Sequence, residues 1–161
     1  MTIEIRLSKK SDFGRLIEID HIVWSTATTP STITWKSVDE YENRNPEGSQ
    51  LVALVNGQVA GYLGFHQPTP LKTNQHVMEI DLAVDPDYQG KGIGRKLLET
   101  YMQLAIEKGI YKLSLRVLAT NADAIQFYKK CGFIEQGRLI NEFYIDGRFV
   151  DDLLMYILLN K

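Results

Sequence analysis

The chain has 161 residues, of which 44% are apolar, and a formal net charge of −2. This length is that of about one domain, so residues 1–161 are expected to form a single domain with its own apolar core. The small negative charge argues against nucleic-acid or anionic-membrane partners, because phosphate contacts need a basic surface. The one cysteine, Cys131, cannot form an internal disulfide, and the first residues lack the apolar stretch of a signal peptide. We therefore expect a cytoplasmic protein without a membrane span.

The first half of the chain is predicted to hold a strand, two helices and a hairpin. Polar and apolar residues alternate at the start of the chain, which is typical of a half-buried strand. Ser11-Asp12 supplies an N-cap for the first helix, and Asn56-Gly57 is a strong signal for a type I′ hairpin turn. The predicted bounds are a strand over 2–7, helices from the Ser11-Asp12 cap to about Trp24 and over 37–44, and strands over 50–55 and 58–65.

The second half is predicted to alternate strands with two longer helices. Asp85-Pro86 ends one strand, Gly109 stops the helix that follows, and Asn121 caps the next helix. Asp146-Gly147 is a second hairpin signal. The predicted bounds are a strand over 76–84, a helix over 93–108, a strand over 112–118, a helix over 121–131, and strands over 133–145 and 148–159.

The resulting element order is β-α-α-β-β-β-α-β-α-β-β. Antiparallel runs combined with two helical crossovers predict an α+β fold. We expect a central, mixed and mostly antiparallel twisted sheet of about seven strands, flanked by about four helices.

A glycine-rich turn, Gln89-Gly-Lys-Gly-Ile-Gly94, joins a strand to the first long helix. Glycines let the backbone turn tightly and present unobstructed N–H groups, and the helix N-terminus adds partial positive charge. Lys91, Arg95 and Lys96 add full charges, so a diphosphate is the expected occupant. The spacing fits neither a Walker A loop nor a Rossmann fingerprint, which disfavours ATP and NAD.

The motif Gln89-x-x-Gly92-x-Gly94 resembles the Q/R-x-x-G-x-G/A signature of the GNAT superfamily of N-acetyltransferases. A second segment, Asn121-x-x-Ala124-Ile-x-Phe127-Tyr128-x-x-x-Gly132-Phe133, is similar to that family's second motif. The motifs look closest to those of ribosomal-protein-alanine and small-amine acetyltransferases. The resemblance implies acetyl-CoA as acyl donor, the GNAT fold, and a split between the fourth and fifth strands. It also implies a cofactor site made of Leu82, Ala83, Val84, Gln89, Gly90, Lys91, Gly92, Ile93, Gly94, Arg95, Asn121 and Tyr128.

The implied reaction is direct attack of a neutral primary amine on the thioester. In the family the tyrosine at the position of Tyr128 lies near the thioester sulfur, and a phenol that stays protonated at neutral pH can donate to a departing thiolate. Its spacing within the helix is also that of an ordinary core residue. Glu79 and Asp81 share one face of the fourth strand, and either could take the proton of the amine; exposed strand carboxylates without a role are the alternative.

The acceptor is expected to be a small molecule, such as an amino acid, a polyamine or an antibiotic-like amine. Arg116 stands where ribosomal-protein-alanine acetyltransferases carry a glutamate, and arginine cannot act as a base. Asp151 and Asp152 are candidates for attracting a cationic amine. A protein N-terminal or lysine acetyltransferase and a non-catalytic acyl-CoA-binding module stay open as alternatives, as does a monomer or a homodimer. The three histidines lack metal-ligand spacing, so no metal is expected.

Overall fold

The computed structural model describes residues 1–159 and contains the eleven predicted elements in the predicted order. The α+β prediction is confirmed, and the observed bounds lie within one residue of the predicted ones. The elements are β1 (Ile3–Leu7), α1 (Phe13–Val23), α2 (Val38–Arg44), β2 (Gln50–Val55), β3 (Gln58–His66), β4 (Val77–Val84), α3 (Ile93–Glu107), β5 (Lys112–Leu118), α4 (Ala122–Lys130), β6 (Ile134–Ile145) and β7 (Arg148–Leu158).

One sheet contains all seven strands in the order β1-β2-β3-β4-β5-β7-β6. Every neighbouring pair is antiparallel except β4 and β5, which run parallel because α3 returns the chain across the sheet between them. Both predicted hairpin turns are present: Asn56 and Gly57 have φ of 50° and 87°, and Asp146 and Gly147 have φ of 50° and 83°. Positive φ at both central residues is what a type I′ turn requires.

The strands β4 and β5 separate along their length. They pair over only three positions, Val77↔Lys112, Met78↔Leu113 and Glu79↔Ser114. Beyond Glu79, β4 continues for five residues and β5 for four, with no ladder between them. The middle of the sheet is therefore split at the end from which the glycine-rich turn emerges.

Each face of the sheet has its own apolar core. On one face, α3 and α4 cover a cluster that includes Ile80, Leu97 and Tyr128. On the other face, α1 and α2 cover a smaller cluster that includes Tyr62 and Ala83. The β4 strand contributes to both because its side chains alternate, so Glu79 and Asp81 lie on the α1 side, opposite Ile80 and Leu82.

The start of α1 differs in detail from the predicted N-cap. Asp12 precedes the helix, but its side chain makes no capping hydrogen bond to it. Instead the carboxylate accepts from the backbone N–H of Lys9 at 2.8 Å and pairs with Arg6, and a 3-10 turn over Lys10–Asp12 leads into the helix. Because the Asp12 carboxylate pairs with Arg6 of β1, it does not cap α1.

Candidate active site

The glycine-rich turn places two left-handed glycines at the start of a fifteen-residue helix. Gly90 and Gly92 have φ of 77° and 78°, and Gly92 is the N-cap of α3. A Cβ added to either glycine would meet no atom within 4 Å, so the space outside the turn is free. The first N–H groups of α3 have no partner within the helix and point towards that space. Lys91, Arg95 and Lys96 are exposed there, so the turn is suited to binding a diphosphate.

The other residues of the turn support it from within. Ile93 is 1% exposed and belongs to the core, so only its backbone faces outwards. Gly94 packs closely: a Cβ there would lie 3.3 Å from the Phe127 ring and 3.5 Å from Leu82. The Gln89 side chain donates to the Val84 carbonyl at 3.3 Å, which ties the turn to the end of β4.

The second motif lies on α4, beside the split in the sheet. Asn121 is the N-cap of α4, as predicted, and its side-chain oxygen accepts from the Ala124 N–H at 3.3 Å. Tyr128 is 7% exposed and packs edge-on against Phe127 and Phe133. Desolvation, followed by the charge of Asp81, raises the pKa of its hydroxyl well above the usual value. The charge of Asp81 therefore acts on Tyr128 from the opposite face of the sheet.

The two candidate bases on β4 have different surroundings. Glu79 lies where β4 and β5 are still paired, and its Oε2 is 3.5 Å from Nε2 of His66. Asp81 lies two residues further on, beside the split, where its side chain is exposed and receives no hydrogen bond from residues 1–159. Although the Asp81 side chain keeps contact with solvent, the protein around it removes part of the water near the carboxyl, and this desolvation, followed by the charges of Asp20 and Glu79, raises the pKa of Asp81 to about 6; His66 acts in the opposite direction.

A buried carboxylate next to this site was not singled out from the sequence. Asp20 on α1 is 3% exposed and accepts from the Tyr62 hydroxyl at 2.6 Å and from the indole N–H groups of Trp24 at 3.1 Å and Trp35 at 2.8 Å. Desolvation raises the pKa of Asp20 even though these three donors lower it. The sequence signal was a polar residue on the apolar stripe of a helix, followed by two tryptophans.

The predicted role of Asp151 and Asp152 as attractors for a cationic amine is not supported. Asp152 is buried, and one of its oxygens accepts from Nε of Arg116 at 2.6 Å. Asp151 accepts from Arg138 at 3.1 Å and from the Asn141 N–H at 2.7 Å. Both carboxylates are already neutralised by partners within the last two strands and β5.

Residues 16–133 match the model of the acetyltransferase (GNAT) family. The chain belongs to the GNAT family. It is therefore an acetyl-CoA-dependent N-acetyltransferase, and the enzyme class, the acyl donor and the fold predicted from the two motifs are confirmed.

Individual GNAT relatives differ in how much of the chain they share. The chain is 37% identical over 84 residues to the spermidine N(1)-acetyltransferase of Vibrio cholerae, a match covering 52% of this chain and about half, 49%, of that enzyme. In an alignment of 169 positions it is 28% identical to the L-amino acid N-acyltransferase MnaT of Escherichia coli, and the match covers 99% of this chain and 95% of that enzyme. The structure of yncA from Salmonella typhimurium with its cofactor acetyl-CoA has a TM-score of 0.85 at 27% identity and covers 100% of this chain and 96% of that one.

Two further observations concern the described part of this GNAT chain. Within residues 1–159 there is no group of three or more His, Cys, Asp or Glu side chains that could hold a metal ion. No helix in the same residues is long and apolar enough to cross a membrane.

Proposed function

We propose that this enzyme acetylates a small primary amine by direct attack on the thioester of acetyl-CoA. The observation that carries the proposal is the split between β4 and β5, with the glycine-rich turn at its end, Tyr128 on one face and Asp81 on the other. This arrangement gives a donor and an acceptor separate sides from which to enter the same gap.

The donor is proposed to lie along the α3 and α4 side of the gap. The N–H groups from Gly90 to Arg95 would bind its diphosphate, which the free space at Gly90 and Gly92 allows. The backbone of Leu82, Ala83 and Val84 lacks a ladder partner on the β5 side, so it is available for the pantetheine arm and the acetyl carbonyl. Asn121, whose side chain is half-buried at the start of α4, is proposed to contact the same arm. Acetyl-CoA supplies the activated acetyl group.

Tyr128 is proposed as the general acid. Its raised pKa keeps the hydroxyl protonated throughout the range in which a primary amine is partly neutral, so the hydroxyl is present as a hydrogen-bond donor to the leaving thiolate. From residues 1–159 the hydroxyl receives no hydrogen bond that would stabilise its ionised form, and the aromatic contacts of its ring hold it in place.

Asp81 is proposed as the base, with Glu79 as the alternative. Asp81 lies beside the split and is electrostatically coupled to Tyr128, whereas Glu79 lies at the closed end and faces His66. A pKa of about 6 leaves the Asp81 carboxylate ionised at neutral pH and still basic enough to accept a proton from an approaching ammonium. The same negative charge favours a cationic acceptor.

A small acceptor is supported by the cover on this side of the sheet. Trp24, Trp35 and Tyr62 are held around Asp20 by hydrogen bonds, on the same face of the sheet as Asp81. The two enzymes named above act on spermidine and on L-amino acids, and both acceptors are small primary amines. A protein acceptor would need a wider approach.

The proposal is tested by thiol release from acetyl-CoA across a panel of polyamines, amino acids and an alanine-initiated peptide, comparing the wild type with Asp81→Asn and Glu79→Gln. We expect activity on a small amine and a loss of roughly a hundredfold in kcat for Asp81→Asn, with a much smaller loss for Glu79→Gln. Because protonation removes the base, kcat/KM of the wild type should fall below a pH of about 6.

Other results of this experiment would change or contradict the proposed function. A larger loss in Glu79→Gln than in Asp81→Asn would transfer the base to Glu79. Activity on the peptide alone would make the enzyme a protein acetyltransferase, and acetyl-CoA binding without thiol release for any amine would contradict the enzymatic proposal.

A further inference from the structure

A glycine on β3 lies directly opposite the proposed base. Gly64 is the register partner of Asp81 in the antiparallel pair of β3 and β4, so the two residues point to the same face. A Cβ added to Gly64 would lie 2.5 Å from Oδ1 of Asp81 and 3.1 Å from its Cγ. The Asp81 carboxyl thus occupies the volume in which any other residue at position 64 would have its side chain.

The backbone does not explain this glycine. Gly64 has no positive φ, so an L-residue could adopt its conformation, unlike at Gly57 in the neighbouring turn. Glycine within a strand is unfavourable, since it costs conformational entropy and contributes no side chain to packing. The feature that explains a glycine at position 64 is the close approach of the Asp81 carboxyl.

A second strand glycine, Gly61, shows the contrast. A Cβ there would lie 2.7 Å from the Ala83 carbonyl oxygen, so Gly61 gives space to backbone. At Gly64 all three nearest atoms belong to the Asp81 side chain. Gly64 is therefore matched to one functional group on the neighbouring strand.

We infer that Gly64 is a positioning residue for the transfer reaction: because it has no side chain, the Asp81 carboxylate can lie over β3 on the α1 side of the sheet. The inference rests on the proposed function, in which Asp81 accepts the proton of the acceptor amine. Any side chain at position 64 forces the carboxyl to rotate away. The distance from the carboxylate to the amine then changes while the acetyl-CoA side of the gap stays as it was.

The charged and titratable groups that face Asp81 define a second readout. They come from every element packed around it: Asp20 on α1, Tyr41 on α2, Tyr62 and His66 on β3, Glu79 on β4 and Tyr128 on α4. A rotated carboxyl lies at other distances from these groups, so the acidic limb of the kcat/KM profile moves with it. A merely structural defect would lower activity without moving that limb.

The test compares Gly64→Ala with Gly14→Ala, a matched control because Gly14 has no positive φ and a Cβ there would meet nothing within 4 Å. We expect Gly64→Ala to lower kcat by roughly tenfold to a hundredfold and to shift the acidic limb, with KM for acetyl-CoA unchanged. Gly14→Ala should behave as the wild type. Wild-type kcat and an unmoved acidic limb in Gly64→Ala would overturn the inference.

A double-mutant cycle with Asp81→Asn and Asp81→Ala separates the possible failures. If Gly64 acts through the carboxylate, Gly64→Ala should lower kcat little further in the Asp81→Asn background, and an equal loss in both backgrounds would overturn the inference. Wild-type kcat in Asp81→Asn alone would instead contradict the proposed base. Should Gly64→Ala fold poorly, adding Asp81→Ala should restore its Tm, because the overlapping carboxyl is gone, and failure to restore it would also overturn the inference.

Discussion

The Tyr128 hydroxyl is deeply buried, and its ring is held by two aromatic neighbours, which decides what its removal would do. The Tyr128→Phe variant keeps the ring contacts with Phe127 and Phe133 and removes only the proton donor. We therefore expect kcat to fall by about a hundredfold, while the dissociation constant for acetyl-CoA stays within about twofold. Steady-state kinetics together with calorimetric titration of acetyl-CoA measure both quantities.

The opposite pattern would contradict the assignment. Unchanged turnover with weakened acetyl-CoA binding would make Tyr128 a packing residue. Phe133→Leu serves as the control, because it alters the other aromatic contact of Tyr128 without removing a proton donor.

Among single residues, those in local sequence motifs could be predicted from the sequence, whereas those whose role depends on a neighbour on another strand or helix could not. Asn121 and Tyr128 stand in a continuous pattern on one helix, which can be read along the chain. Asp20 and Gly64 acquire their significance from neighbours 42 and 17 positions away, Tyr62 and Asp81. Which strand positions face each other depends on register, and register is not visible in a single sequence.

At the scale of elements, α3 offers an internal comparison because a left-handed glycine lies at each end. Gly92 precedes the helix with φ of 78° and Gly109 follows it with φ of 81°, and a Cβ would meet no atom within 4 Å at either position. Alanine at either site is strained to a similar degree, so we expect both variants to lose about 1 kcal/mol of unfolding free energy.

Only one of the two substitutions should affect acetyl-CoA. Gly92→Ala places a methyl group in the proposed diphosphate site and should weaken acetyl-CoA binding by at least about tenfold. Gly109→Ala should leave that affinity unchanged. Calorimetric titration of the two variants compares them directly, and equal affinities would show that the diphosphate does not bind at the turn.

The bounds of the elements were predictable because their signals are local. Positive-φ turns at Asn56-Gly57 and Asp146-Gly147, the stop at Gly109 and the cap at Asn121 each depend on a few adjacent residues. The compositions of β6 and β7 also agree with their positions in the sheet, although the order of the strands was not predicted. The β7 strand is rich in apolar residues and lies inside the sheet, whereas β6 has more polar residues, with Gln136 and Asn141 in addition to its charged ones, and forms its edge.

At the scale of the whole molecule, a salt bridge joins the acceptor side to the donor side. Arg15 on α1 pairs with Asp85, the first residue after β4 on the way to the glycine-rich turn, and its Nε donates to the Val59 carbonyl at 2.9 Å. Desolvation opposes ionisation of Asp85, but hydrogen bonds from the Asp87 N–H and from Arg15 outweigh it and lower its pKa. Helix α1 and the turn are thereby held in one arrangement.

Removal of Arg15 should be costly because Asp85 would remain buried and unpaired. We expect Arg15→Met to lower the unfolding free energy by about 3–5 kcal/mol, and the double variant with Asp85→Asn to recover part of that loss. Lys10→Met is the control, since the Lys10–Glu42 pair is exposed and should contribute at most about 1 kcal/mol. Denaturant unfolding measures all three variants; a loss no larger than that of the control would refute a structural role for the pair.

The separation of β4 and β5 has a mechanical consequence. Only three paired positions join the four-stranded part of the sheet, β1 to β4, to the three-stranded part made of β5, β7 and β6. Because these positions all lie at one end of β4, few backbone hydrogen bonds oppose relative motion of the two parts at the other end. A donor bound in the gap would contact both parts and would supply contacts between them that the backbone lacks there. Binding of the first substrate would then stiffen the surface on which the second has to align.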